Sequence, residues 1–139
     1  MERNLVKHGL ILIFLSLLTG LIIPATEAPR LALSAHTIAM LSGVLLLALS
    51  AVWNRVVLSK GQEALAYWSW IYSSYANWFA ILFGAVAGTG RMTPLASRGV
   101  EAHDSAEVFV AFLLISLSAS ALLAAGLSIW GLARGKGLP

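Results

Sequence analysis

The residues of this chain with chemistry to offer are few, and they stand in long stretches without charge. His36 is the one histidine well inside such a stretch, five residues from its start, or about 7.5 Å at ~1.5 Å per residue. In apolar surroundings desolvation keeps an imidazole neutral, and neutral imidazole is a ligand for iron. The other reading of His36 is a side chain hydrogen-bonded to a neighbouring helix. Ser69, Ser73 and Asn77 follow one another at i, i+4 and i+8, so they share one face of a helix. Tyr72 and Tyr75 flank that face, and Ser42 falls at a depth similar to that of Asn77. Amides and hydroxyls away from water either bridge helices or line a pocket for a small substrate. Met40, at i+4 from His36, is on the same helix and cannot take the opposite face of the same iron. With no second histidine inside a stretch, an iron on His36 keeps an open position, which suits substrate chemistry better than electron transfer. No acid lies inside any stretch either, so proton-coupled transport lacks its usual carrier.

The elements that must position these residues are membrane spans. His8–Thr26, Leu31–Asn54, Ala64–Gly90 and Val108–Ala133 contain no Asp, Glu, Lys or Arg. A bilayer core is ~30 Å thick and takes about 20 apolar residues to cross as a helix. The 139 residues therefore read as one all-α, integral membrane four-helix bundle, a single domain over 1–139 with spans at about 8–24, 31–53, 64–88 and 106–132. With 59% hydrophobic and 11% charged residues the chain is far from a soluble composition. The absence of cysteine excludes disulfides, zinc thiolates, iron–sulfur clusters and thiol nucleophiles. The net charge of +3 comes from scattered basic residues and gives no sign of nucleic-acid binding. Glu2, Arg3 and Lys7 before the first run have the look of a signal sequence. The following Pro-Ala-Thr-Glu-Ala-Pro is a poor cleavage site, so the run reads as a span.

Basic residues mark the cytoplasmic side. Six of them, Arg3, Lys7, Arg55, Lys60, Arg134 and Lys136, fall at the termini and in the second loop, against Arg30, Arg91 and Arg98 in the first and third. Both termini are thus expected in the cytoplasm. Pro24 and Pro29 bracket the first loop, Gly88, Gly90 and Pro94 end the third span, and Asp104 with Glu107 reads as a capping box opening the fourth. Trp53, Trp68, Trp70 and Trp130 lie near span ends, as interfacial tryptophans do, whereas Trp78 is deep. Ala76, Ala80, Gly84 and Gly88, and likewise Ser116, Ser120, Ala124 and Ser128, form small-residue stripes that suit close packing, either inside one bundle or between subunits of a homo-oligomer.

Three segments carry a family resemblance. They are Leu-Leu-Thr-Gly-Leu-Ile-Ile-Pro (17–24) running on to Pro29-Arg30 and Leu33-Ser34-Ala35-His36, then Tyr75-Ala76-Asn77-Trp78, then Gly88-Thr89-Gly90-Arg91-Met92-Thr93-Pro94. In order and spacing over almost the whole chain they resemble the hydroxylaminobenzene mutases and, more remotely, the styrene oxide isomerases. Both are small four-span bacterial proteins, which places the chain in the inner membrane. The resemblance implies a homotrimer with haem b near subunit contacts. His36 is the implied iron ligand, and ferric iron the Lewis acid on the substrate oxygen. The isomerases have asparagine where this chain has Ser42, and their aspartate and tyrosine align with Ser73 and Ile81, while Asn77 is retained. That favours the mutase reaction, in which an arylhydroxylamine becomes an ortho-aminophenol, over epoxide-to-aldehyde isomerisation.

On this reading a dry pocket returns oxygen to the ortho carbon before water adds at para. Asn77, with Ser73 or Tyr75 and with Ser42 nearby, orients the substrate amine. Arg30 and Arg91 are the expected partners of the haem carboxylates, because the planar guanidinium binds carboxylate bidentately. The competing class is a non-enzymatic haem-binding membrane subunit, which would bind haem without turnover.

Overall fold

The computed structural model describes residues 1–97 and 102–135, so Arg98, Glu101 and Lys136 lie outside the described residues. The described chain is all helical: α1 (Glu2–Ile22), α2 (Pro29–Val52), α3 (Lys60–Ala87), the short α4 (Pro94–Ser97) and α5 (Asp104–Gly135). Single 3-10 turns, Ile23–Ala25 and Trp53–Arg55, extend α1 and α2. With those turns, α1, α2 and α5 are long and apolar enough to cross a membrane, with mean hydropathies of 2.1, 2.0 and 2.5. Helix α3 is longer than α2 at 28 residues but does not reach their apolarity, because its middle is rich in Trp, Tyr and Ser.

Local chemistry sets the helix ends. Pro29 stands at the first turn of α2, where a missing N–H costs nothing. Helix α3 opens with a capping box: Gln62 N donates to Ser59 Oγ at 3.4 Å and Ser59 N donates to Gln62 Oε1 at 3.1 Å. It closes at Gly88, whose φ of 71° is left-handed backbone that suits glycine. The capping box expected at Asp104 does not form. Asp104 pairs with Arg91 instead, and the Glu107 carboxylate accepts from Gly90 N (2.7 Å), Arg91 N (3.1 Å) and Ala102 N (3.4 Å). Glu107 is 2% exposed, and those loop amides would otherwise be orphaned donors beside it.

Helix α1 packs on α2, α2 on α3 and α3 on α5, with a lighter contact between α1 and α3. At the α1–α2 crossing Gly9 and Gly43 face each other. A Cβ on Gly9 would meet the Gly43 carbonyl at 2.8 Å, and one on Gly43 would meet that of Gly9 at 2.7 Å. Three serines of the second small-residue stripe are engaged within the chain. Ser120 Oγ donates to Ser69 O (3.2 Å), Trp70 Nε1 to Ser128 Oγ (3.1 Å), and Tyr72 OH shares a 2.7 Å bond with Ser116 Oγ. Of the tryptophans placed at span ends, Trp53 is buried and donates to Glu63 Oε1 at 3.0 Å, while Trp68 is exposed. Two loops are pinned by backbone bonds to later helices: Ala28 N donates to Ala85 O, and Val57 N to Gly131 O, each at 3.1 Å.

Candidate functional site

The site is organised from α1. His8, Ser16 and Thr19 fall within an arc of about 80° on that helix at ~100° per residue, and each pairs with a residue of another helix. Tyr75 OH lies 3.1 Å from His8 Nδ1, with the two rings edge-on at 5.7 Å. Trp78 Nε1 donates to Thr19 Oγ1 at 3.0 Å, and that hydroxyl donates in turn to Leu15 O at 2.8 Å.

Ser16 holds His36. The Nδ1 of His36 is 2.7 Å from the Ser16 carbonyl oxygen, which can only accept, so the proton resides on Nδ1. Ser16 Oγ donates back to His36 O at 2.7 Å and lies 3.1 Å from Nδ1. The imidazole rests against Gly20, where a Cβ would come within 3.2 Å of Nδ1 and 3.4 Å of Cε1. This arrangement fixes the tautomer and leaves the Nε2 lone pair without a hydrogen bond among the described residues. The ring is half-buried. One oriented imidazole is the protein donor that would hold a haem iron, since the porphyrin brings nitrogen ligands of its own. The residues present therefore fit that group.

The other expected site residues divide. Asn77 is half-buried and makes no hydrogen bond among the described residues, so its amide is uncommitted in the middle of α3. Ser42 is likewise half-buried and uncommitted. Ser73 is buried and donates to Trp70 O of its own helix at 3.2 Å. Tyr75 is engaged by His8. No hydrogen bond joins His36 to any of these four; its connection to α3 runs through α1, by way of Thr19 and Trp78. Arg30 is exposed on the first turn of α2, roughly a third of a turn around the helix from His36. The Arg91 guanidinium pairs with Asp104 at 2.7 Å on an exposed rim.

Ser16, Thr19, Gly20 and His8 had no assigned role in the sequence reading. Their signal was available: Ser16, Thr19 and Gly20 interrupt an otherwise apolar run of large side chains, and His8, Ser16 and Thr19 recur at i, i+8 and i+11. Beside the His8–Tyr75 pair, Tyr72, Trp78 and Phe79 line an open apolar groove of about 530 Å³.

An all-helical, membrane-type chain whose inward polar groups orient the His36 imidazole is thus the class that the fold and site define. The chain belongs to the styrene oxide isomerase family, whose model matches residues 1–133. It is similar to the hydroxylaminobenzene mutase HabB of Ectopseudomonas oleovorans, 40% identical over 133 residues that cover 95% of this chain and 81% of HabB. It is also similar to the hydroxylaminobenzene mutase HabA of the same organism, 33% identical over 118 residues, covering 84% of this chain and 87% of HabA. No solved structure matches. The family and both relatives carry the names of isomerases, and an isomerase is the kind of enzyme to which this chain is related.

Proposed function

We propose that this protein is a membrane-bound mutase that rearranges arylhydroxylamines, such as hydroxylaminobenzene, to ortho-aminophenols, with haem b held on His36. The observation that carries this reading is the His36 imidazole, locked by Ser16 with Nε2 presented, in a chain 40% identical to a protein named for that reaction. When bound, the haem iron supplies a Lewis acid for the hydroxyl oxygen of the N–OH group. His36 would hold it, and Arg30 and Arg91 would meet its carboxylates. Asn77, with no other partner among the described residues, holds the substrate nitrogen by hydrogen bonding. Trp78 is fixed by Thr19 and gives the ring a rigid wall. Apolar neighbours exclude water, so oxygen is retained near the ortho carbon rather than exchanged with solvent.

Both termini face the cytoplasm of a bacterial inner membrane on the asymmetry of basic residues, and α3 is the fourth span. The working unit is a homotrimer. In support, α1 and α5 each rest chiefly on one neighbour and leave large side chains outside, among them Phe14, Phe112, Ile115 and Leu122. The family name supports a second reading, epoxide-to-aldehyde isomerisation. Detergent-purified, haem-loaded protein is assayed with phenylhydroxylamine and with styrene oxide. Formation of 2-aminophenol is the expected result. Turnover of styrene oxide alone moves the protein to the second reading. A Soret band without turnover of either makes it a haem-binding subunit.

A further inference from the structure

Where α2 ends, α3 begins and α5 ends, the chain gathers basic residues that it does not neutralise. Val57 N donates to Gly131 O at 3.1 Å, and a Cβ on Gly135 would come within 3.1 Å of Arg55 O. The second loop therefore lies against the last turn of α5, and Arg55 and Arg134 stand on adjoining stretches of backbone. Both are exposed, and neither has an ion pair or a side-chain hydrogen bond among the described residues. Glu63, the acid that follows the loop, is turned to Trp53, whose indole N–H donates to Glu63 Oε1 at 3.0 Å. At the other end of the bundle, by contrast, Arg91 is neutralised by Asp104. Arg134 is also held in place. Its guanidinium lies over the Trp130 ring, 4.9 Å from the centroid. That contact attracts the cation through the ring quadrupole and takes up no oxygen acceptor, so the N–H fork stays available to an anion. Tryptophan at the end of a membrane helix sits at headgroup level, and the pair keeps the charge at the depth of lipid phosphates. Leu123, seven residues before Trp130, shares its face of α5 about 10 Å further in at ~1.5 Å per residue, and both side chains are exposed. The stripe offers a cation, an amphipathic ring and then bare hydrocarbon, the order in which a phospholipid presents phosphate, glycerol and acyl chain.

We infer that Arg55 and Arg134 together bind the phosphodiester of an anionic phospholipid, whose acyl chain lies along Trp130 and Leu123 of α5. Charge complementarity selects this occupant. Two arginines on adjoining backbone repel each other, and an anionic headgroup offsets that repulsion. A zwitterionic headgroup brings a cation of its own and offsets less of it. The apolar stripe leading away from Arg134 favours a lipid over a free phosphate, which has nothing to place there. A lipid that bridges the two arginines ties the turn between α2 and α3 to the end of α5 from outside the chain, beside the bond that Val57 already makes to Gly131. The inference stands apart from the mutase reading, because it uses none of the groups given to haem or substrate.

The test uses full-length protein in neutral detergent, stripped of co-purified lipid and titrated with dioleoylphosphatidylglycerol or dioleoylphosphatidylcholine. Bound lipid is read by native mass spectrometry. The phosphatidylglycerol adduct should form at a concentration about tenfold below that needed for phosphatidylcholine. Arg55→Gln and Arg134→Gln should each weaken it about tenfold, the effect of one charge-assisted hydrogen bond. Arg134→Lys keeps the charge without the planar fork and should fall between wild type and Arg134→Gln. Arg3→Gln removes the same charge from the first turn of α1 and should leave the adduct unchanged. Equal binding of the two lipids overturns the inference, as does an unchanged adduct in both Arg55→Gln and Arg134→Gln. A loss in Arg3→Gln equal to that in Arg55→Gln replaces the site by a diffuse field and overturns it as well. Inorganic phosphate that displaces phosphatidylglycerol at equal concentration makes the site one for a free anion, which also overturns it.

Discussion

Gly20 offers the sharpest test of how His36 is held. A Cβ there would lie 3.2 Å from Nδ1 and 3.4 Å from Cε1, tighter than ordinary contact by a few tenths of an ångström. In Gly20→Ala the imidazole can give by that amount, which stretches the 2.7 Å bond to the Ser16 carbonyl but keeps it within hydrogen-bonding range. Gly20→Leu cannot be absorbed so, and the ring must leave the carbonyl. The lost neutral hydrogen bond is worth about 1 kcal/mol, or about fivefold in haem affinity. Freed Nδ1 also lets the tautomer change, which lowers the basicity of Nε2 as a ligand. The assay is the Soret absorbance retained through serial detergent exchange, together with the reduction potential of the bound haem. Alanine should lose little haem and leucine much more, with a shifted potential. Gly126→Leu is the control, because a Cβ there meets nothing within 4 Å. If Gly20→Leu holds haem as firmly as Gly126→Leu and at the same potential, His36 is not oriented by α1 and the account of the site fails.

His36→Ala should lose haem and turnover together while still inserting in the membrane, and His8→Ala and His103→Ala should keep the Soret band; haem at full occupancy in His36→Ala would end the ligand assignment. Asn77→Ala should keep haem and lose turnover by about tenfold, since one hydrogen bond in a dry site is worth about 1.5 kcal/mol; an unchanged rate would make Asn77 a packing residue. Glu107→Gln should cost about 1–3 kcal/mol, read as a lower melting temperature in detergent, because one amide oxygen replaces two carboxylate oxygens that accept three loop amides. For orientation, Ala28 and Ser97 are buried, so reporter cysteines belong at Glu27 and at Leu95, which is 91% exposed. Both should react with an impermeant thiol reagent in whole cells and one at Gly61 should not; the reverse pattern would invert the topology.

Runs of uncharged residues made the long helices readable, since that signal needs no knowledge of what packs where. The boundaries at Pro29 and Gly88 were equally legible, because proline and left-handed glycine act on their own backbone. Glu107 was not. Its position three residues after Asp104 suits a local cap, and only the fold brings Gly90 and Arg91 close enough to compete for it. The Ser59–Gln62 box was present in the sequence and went unread. At the site, His36 and Asn77 stood out because polarity inside an apolar run is conspicuous. Their surroundings did not, for pairing between helices depends on rotation about each axis, which a list of polar positions leaves free. Ser73 shows the difference: its spacing from Asn77 is helical, yet its hydroxyl turns back to its own backbone.

The two pinned loops bear on how the chain is assembled. A hairpin of α1 and α2 can close as soon as both are in the bilayer, since Gly9 and Gly43 meet within it. Yet the amide of Ala28 gains its acceptor only when the last turn of α3 arrives with Ala85, and that of Val57 only when α5 brings Gly131. Each turn is thus latched by the helix made after the next one begins. A ribosome paused between α3 and α5 would hold a chain whose first loop is closed and whose second is open. Truncations ending there should be substrates for membrane quality-control proteases, and supplying α5 as a separate peptide should protect them.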